Sequence, residues 1–237
     1  DIDSRIFKCT GSLDLDEGRV TCPHPHGEIS FKEALAKSCN LTFAEISLML
    51  GRDTLQKYVD KLGFNSTITV NDIKTSPGKI FLKDLNDLNL AWAGIGQSKN
   101  MINPINFLSF MGAVANDGKR INPRILKKNT AVQGLTILSP ENKRIMSEST
   151  AAELKTMMRY NVTEAYGDKN FRDLNLCAKT GTAEVSENGK PHAWFAGFMD
   201  REDCPLAFIV IVENSGSGIG IAAPVANKVL QAALKNR

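Results

Sequence analysis

The chain has 237 residues, 42% hydrophobic and 23% charged, which suits one domain with a sizeable core. Its 29 basic and 26 acidic residues leave a formal net charge of +3, too balanced to argue for a polyanion, and no basic stripe with interleaved aromatics argues for nucleic acid. No run is apolar for long enough to span a bilayer. The first residue is Asp1 rather than Met, so the expectation is a chain processed or cut from a longer one, with any membrane anchor or export signal lying upstream.

Taken in chain order, residues 1–29 are polar and turn-rich (Gly11, Gly18, Pro23, Pro25, Gly27) and read as an irregular loop or a short hairpin. Ser30-Phe31-Lys32-Glu33 is a capping box, which predicts a short helix from Phe31 to about Lys37 and a break at Ser38-Cys39-Asn40. Leu41 to Leu50 carries a helical apolar face (Leu41, Ala44, Ile46, Leu48, Met49) ending at Gly51, and a second amphipathic helix covers Asp53 to Leu62. Residues 64–82 look extended, with Pro77-Gly78 as a turn, and Leu82 to Ala93 is mixed. Pro104 opens an apolar helix through Ala115, closed by Asn116-Asp117-Gly118-Lys119.

Residues 120–138 suit short strands and a polar loop, while Pro140 to Met146 and Ser149 to Tyr160 read as helices, the second with Ala152, Leu154, Met157 and Met158 inward. Three strands follow: one through Leu176, Ala178 and Thr180, closed by a hairpin turn at Ser186-Glu187-Asn188-Gly189, then His192 to Met199, then Leu206 to Val212. Ala222 to Leu234 makes a closing helix. Helices ahead of an antiparallel sheet predict an α+β layered fold of one domain, residues 1–237. Gly216-x-Gly218-x-Gly220 lacks the Lys-Ser/Thr ending and the glycine spacing of phosphate loops and reads as a connection.

Five cysteines are an odd number. Cys9 and Cys22 flank a polar segment and could close a disulfide in an oxidising compartment, whereas Cys39, Cys177 and Cys204 lie in contexts where they should stay reduced. There is no Cys-x-x-Cys, and a proline separates His24 from His26 in a loop, so spacing predicts no metal site.

The chemistry-bearing stretch is Lys179-Thr180-Gly181-Thr182-Ala183-Glu184. An ammonium supplies positive potential, the hydroxyls can bind a carboxylate, and the absent side chain at Gly181 lets a substrate backbone lie close. Lys179-Thr180-Gly181 on a late strand, together with Ser38-Cys39-Asn40 at an early helix break, resembles the third and second signature motifs of the penicillin-binding protein transpeptidase domain, whose fold is shared with serine β-lactamases and penicillin sensors. Further similarity lies in His26-Gly27, Ala34-Leu35 and Phe43, in Gly94-Ile95-Gly96-Gln97 with Asn103-Pro104, in Ala115-Asn116-Asp117-Gly118, and in His192-Ala193-Trp194-Phe195-Ala196-Gly197-Phe198. Ser98-Lys99-Asn100 and Ser186-Glu187-Asn188 match Ser-x-Asn as well, and only order and flanks single out Ser38.

The resemblance implies a peptidoglycan D,D-transpeptidase working by serine acyl transfer without a cofactor or metal. Ser38 would relay a proton, Asn40 would bind the acyl side chain's amide, and Lys179 would bond Ser38 and keep the pocket positive. Thr180 and Thr182 would hold the terminal carboxylate beside Gly181, and the Thr182 N–H would form half of an oxyanion hole. It also implies peptidoglycan stem peptides and β-lactams as partners, no nucleic acid, membrane attachment only through an upstream anchor, and a place at the extracytoplasmic face of a bacterial membrane. The family's Ser-x-x-Lys nucleophile is not found ahead of Ser38, and Ser76-Pro77-Gly78-Lys79 cannot open the required helix. The expectation is therefore a C-terminal part of such a domain, inactive alone, with an incomplete sheet and an exposed edge prone to associate. A non-catalytic scaffold or β-lactam sensor is the alternative.

Overall fold

In the computed structural model the described residues are 2–123, 143–185 and 189–236. The N-terminal segment is more regular than its composition suggested. It forms four short strands, β1 (Ile6–Cys9), β2 (Ser12–Leu15), β3 (Gly18–Thr21) and β4 (Gly27–Ser30), with β1 paired to β4 and β2 to β3, both antiparallel. β1 alternates, with Phe7 and Cys9 inside, while β3 and β4 each bury one residue, Val20 and Ile29, and β2 buries none. In strands of four residues that alternation is too brief to outweigh the glycines and prolines around it.

Helix α1 (Phe31–Ala36) starts on the predicted capping box, with the Ser30 side chain accepting from the Glu33 N–H and the Glu33 carboxylate accepting from the Ser30 N–H at 2.8 Å. Helix α2 (Asn40–Lys61) is interrupted at Gly51, whose backbone is left-handed at φ 74°. The two helices expected on either side of that glycine are therefore both present and meet there at a kink. Its apolar face differs from the periodic reading, because Thr42 and Ser47 are buried while Met49 is exposed. Next come a small hairpin of β5 (Thr69–Val70) and β6 (Ile73–Lys74), then α3 (Asp87–Gly94) and α4 (Pro104–Ala115), the last with the expected bounds.

Strands β7 (Lys119–Arg120) and β8 (Lys143–Arg144) pair with each other. The helix expected over 140–146 is thus replaced at 143–144 by a strand, since the cross-strand partner overrides a weak helical pattern. Residues 124–142 and the expected turn at 186–188 lie outside the described residues. Helix α5 (Glu148–Tyr160) is capped by Ser147 and buries Ala151, Met157 and Met158, whereas Ala152, expected inward, is exposed. It continues as a π-helical turn over Asn161–Gly167 and a 3-10 turn over Asp168–Phe171.

The main sheet contains β9 (Leu176–Ala183), β10 (His192–Met199) and β11 (Ala207–Val212), antiparallel in the order β11-β10-β9. The closing helix α6 (Ala223–Lys235) covers one face. On that side Leu176, Ala178, Phe195, Ala223, Ala226 and Leu230 share one core with Val162 and Tyr166. On the other side Cys177, Ala196 and Phe198 pack with Met111 and Val114 of α4 and Met158 of α5. The result is an α+β sandwich. Among the described residues the outer edge of β11 pairs with no strand, and Val225 and Val229 of α6 are exposed.

Candidate active site

The turn between α1 and α2 is built from both ends. Ser38 N–H donates to Leu35 O at 3.2 Å and Cys39 N–H to Ala34 O at 2.9 Å, while the Cys39 side chain is fully buried. Burying Cys39 forces Ser38 outward in a left-handed conformation, φ 53°. Such a backbone is uncommon outside glycine and persists where its surroundings hold it.

The exposed Ser38 hydroxyl meets β9. Lys179 Nζ donates to Ser38 Oγ at 2.5 Å, across 141 positions of sequence, and to Thr180 O at 3.0 Å. The lysine stem is half-buried and its ammonium is withdrawn from water. That desolvation pulls the pKa down to about 8. Ser98, the other described serine of a Ser-x-Asn triplet, does not bond Lys179, and Asn100 instead donates to Ala93 O at 3.3 Å.

β9 is an edge strand, and side chains from several elements hold its open edge. Arg159 Nη1 donates to Leu176 O at 3.2 Å, and the Asn161 amide to Ala178 O at 3.0 Å. Thr180 N–H donates to Tyr166 Oη at 3.1 Å, and the Gln97 amide to Thr182 O at 3.2 Å. Arg159 is itself clamped by both carboxylate oxygens of Asp168 at 2.7 Å, which holds that carboxyl below its usual range. Alternation along the strand places the Thr182 N–H on the same open edge as that of Thr180. Sequence patterns gave no sign of Tyr166, Asn161 or Arg159, because their partners are backbone groups; Gln97 stood in a recognised stretch without an assigned role.

Gly181 lies opposite Trp194, and a Cβ there would sit 3.2 Å from the Trp194 Cβ. Gly218, from the glycine-rich connection, packs harder: its Cβ would lie 2.3 Å from Trp194 O and 2.7 Å from Gly181 O. The bare backbone at Gly218 thus packs directly on Gly181 and its cross-strand partner Trp194. A sequence profile of the penicillin binding protein transpeptidase domain matches residues 15–231. The chain belongs to that family.

Relatives agree with the assignment. Peptidoglycan D,D-transpeptidase PbpA of Mycolicibacterium smegmatis is 29% identical over 242 residues, covering 95% of this chain and 48% of that protein. Stage V sporulation protein D of Bacillus subtilis is 27% identical over 248 residues, covering 96% of this chain and 38% of that protein. The chain spans less than half the length of these two relatives. Penicillin-binding protein A of Mycobacterium tuberculosis, solved as a ceftriaxone acyl-enzyme complex, superposes with a TM-score of 0.85 at 23% identity, over 98% of this chain and 56% of that one. The transpeptidase-like α+β fold expected from sequence is the one observed.

The structure brings Ser38 and Lys179 into contact, with Gly181 and Thr182 further along the same strand. Thr180 and Thr182 do share a face, but the Thr180 hydroxyl lies 3.3 Å from Tyr166 Oη, and only Thr182 is exposed. One N–H of the Asn40 amide donates to Thr21 O at 2.8 Å, tying α2 to the end of β3. Ser76 to Gly78 has no regular secondary structure and Lys79 is bridged to Met101, so the Ser-x-x-Lys there opens no helix. Cys9 and Cys22 are free thiols, as are Cys39, Cys177 and Cys204. No helix among the described residues is long and apolar enough to cross a membrane.

Proposed function

We propose that this chain supplies two walls of the acyl-transfer site of a peptidoglycan D,D-transpeptidase, acting at the extracytoplasmic face of a bacterial membrane. The observation that carries the reading is the Lys179–Ser38 hydrogen bond, which brings together two motifs 141 positions apart in sequence. A lysine titrating near 8 is largely charged at neutral pH yet loses its proton readily. Bonded to a hydroxyl that both donates and accepts, it can relay a proton toward a leaving amine while its charge attracts a substrate carboxylate. Thr182 contributes an exposed hydroxyl for that carboxylate and, with its N–H on the open edge of β9, a donor for a developing oxyanion. At that edge the Thr182 N–H faces an extended peptide, with Gly181 leaving room for its backbone, and further ladder bonds would have to displace the Gln97 and Tyr166 side chains from Thr182 O and Thr180 N–H.

In this reading the substrates are stem peptides ending in D-alanyl-D-alanine, and β-lactams occupy the same edge. An external serine nucleophile attacks the penultimate carbonyl, D-alanine leaves with the relayed proton, and an acceptor amine resolves the acyl-enzyme. The whole protein, purified and supplied with stem pentapeptide and an amine acceptor, should release D-alanine and form cross-linked dimer. Noncovalent β-lactam binding with no D-alanine release would replace the enzyme with a scaffold or sensor.

A further inference from the structure

Beneath the turn that carries Ser38, three thiols and an imidazole converge. Cys9 ends β1, Cys22 follows β3, His26 precedes β4 and Cys39 sits in the turn between α1 and α2. All four donor atoms lie within 4.8 Å of one another. The spacing, Cys-x12-Cys-x3-His-x12-Cys, is not that of a zinc knuckle, which is why sequence spacing predicted no metal site. The fold, not local sequence, assembles it: β1 pairs with β4 in a register that sets Cys9 against Gly27, and Cys22 N–H bonds Gly11 O at 2.9 Å.

We propose that these four residues bind one zinc ion as a closed Cys3His site. Zinc takes thiolate sulfur at about 2.3 Å and imidazole nitrogen at about 2.0–2.1 Å in a tetrahedron, so an S···N edge of such a site measures about 3.5 Å. Cys22 Sγ lies 3.5 Å from His26 Nδ1. The overall spread is somewhat wider than a tetrahedron's S···S edge of about 3.8 Å, and small side-chain rotations close it. The alternative explanation is ordinary core packing, since cysteine behaves as a small hydrophobe and these three pack with Phe7, Ile29 and Ala34. Core packing accounts for three buried thiols. It does not account for a half-buried imidazole aiming its ring nitrogen into them.

The surroundings fit a thiolate-rich ion. Thr42 Oγ1 donates to Cys39 Sγ at 3.3 Å, the kind of outer hydrogen bond that orients a ligand. Lys37 lies within Coulombic reach of His26 and offsets the single negative charge of a divalent ion held by three thiolates. Binding displaces three thiol protons to solvent and involves no change of oxidation state. Four protein ligands leave no open position, so the ion is structural. Because Cys39 adjoins Ser38, the ion pins the β1–β4 segment to the turn that presents Ser38 to Lys179. This inference stands on the cluster alone and does not depend on the reaction proposed for the cleft.

The test is metal analysis of the protein purified from zinc-supplied cells under reducing conditions. One zinc per chain is expected, released in step with mercurial titration of three thiols. Cobalt(II) exchange should give the visible bands of a tetrahedral ion with sulfur-to-cobalt charge transfer. Cys22→Ser and His26→Ala should lose the zinc, while His24→Ala, an exposed neighbour outside the cluster, should keep it. Wild-type protein that is zinc-free, with Cys9, Cys22 and Cys39 freely alkylated or joined in a disulfide, would overturn the proposal. So would zinc retained by both cluster variants. If those variants do not fold, the cobalt spectrum of the wild type decides alone.

Discussion

Lys179 should make ligand affinity and fold stability respond to pH in opposite directions. Burial pulls its pKa from 10.5 to about 8. A group titrating there is about 90% charged at pH 7 and about 10% charged at pH 9. If the ammonium is what holds a carboxylate, the apparent affinity for an N-acyl-D-alanyl-D-alanine peptide should fall about tenfold between those two pH values.

Stability moves the other way. Between about 8 and 10.5 the folded chain binds fewer protons at this site than the unfolded one, so unfolding free energy rises with pH across that window. The cost of the buried charge is present in full below about 8 and is relieved above it, by up to about 3 kcal/mol at roughly 1.36 kcal/mol per pH unit. Peptide titrations followed at the Thr180–Thr182 amides, together with urea melts from pH 7 to 10, measure both trends. Lys179→Met should abolish both. Affinity that stays flat to pH 10 would show a solvated lysine and refute the reasoning.

Two further substitutions probe the supports of the strand, and a third probes the start of α1. Tyr166→Phe leaves the Thr180 N–H without its acceptor and should cost about 1–3 kcal/mol in denaturant melts, with a change in the Thr180 amide shift. Gly218→Ala drives a methyl into Trp194 O and Gly181 O, so it should lower stability by about 1–3 kcal/mol and weaken peptide binding, since the displaced backbone belongs to the strand proposed to take the peptide. Ser30→Ala removes one half of the capping box and should cost about 1 kcal/mol while leaving peptide binding unchanged.

What sequence could show here follows from the reach of each signal. The capping box at Ser30, Pro104 at a helix start and the runs of β9 to β11 are local, and their bounds came out within a residue or two. The Ser38–Lys179 pairing is not local, and only the order of two motifs suggested it. Of β1 to β4 only a short hairpin such as β2–β3 was foreseen, because four-residue strands carry only two buried side chains each at most. Tyr166 and Asn161 act on backbone groups of β9, which leave no pattern in side chains. The thiol cluster escaped for a related reason: its four ligands come from four segments that meet only after β1 pairs with β4.

The central claim is that Ser38 and Lys179 work together in one acylation cleft. The most direct measurement is the rate at which fluorescent penicillin labels the whole protein, compared among wild type, Ser38→Ala and Lys179→Met. Loss of a positioned proton relay predicts slowing by about 10²–10⁴ in each variant, with much less than the product of the two in the double variant. Labelling at the wild-type rate in either single variant would contradict the account.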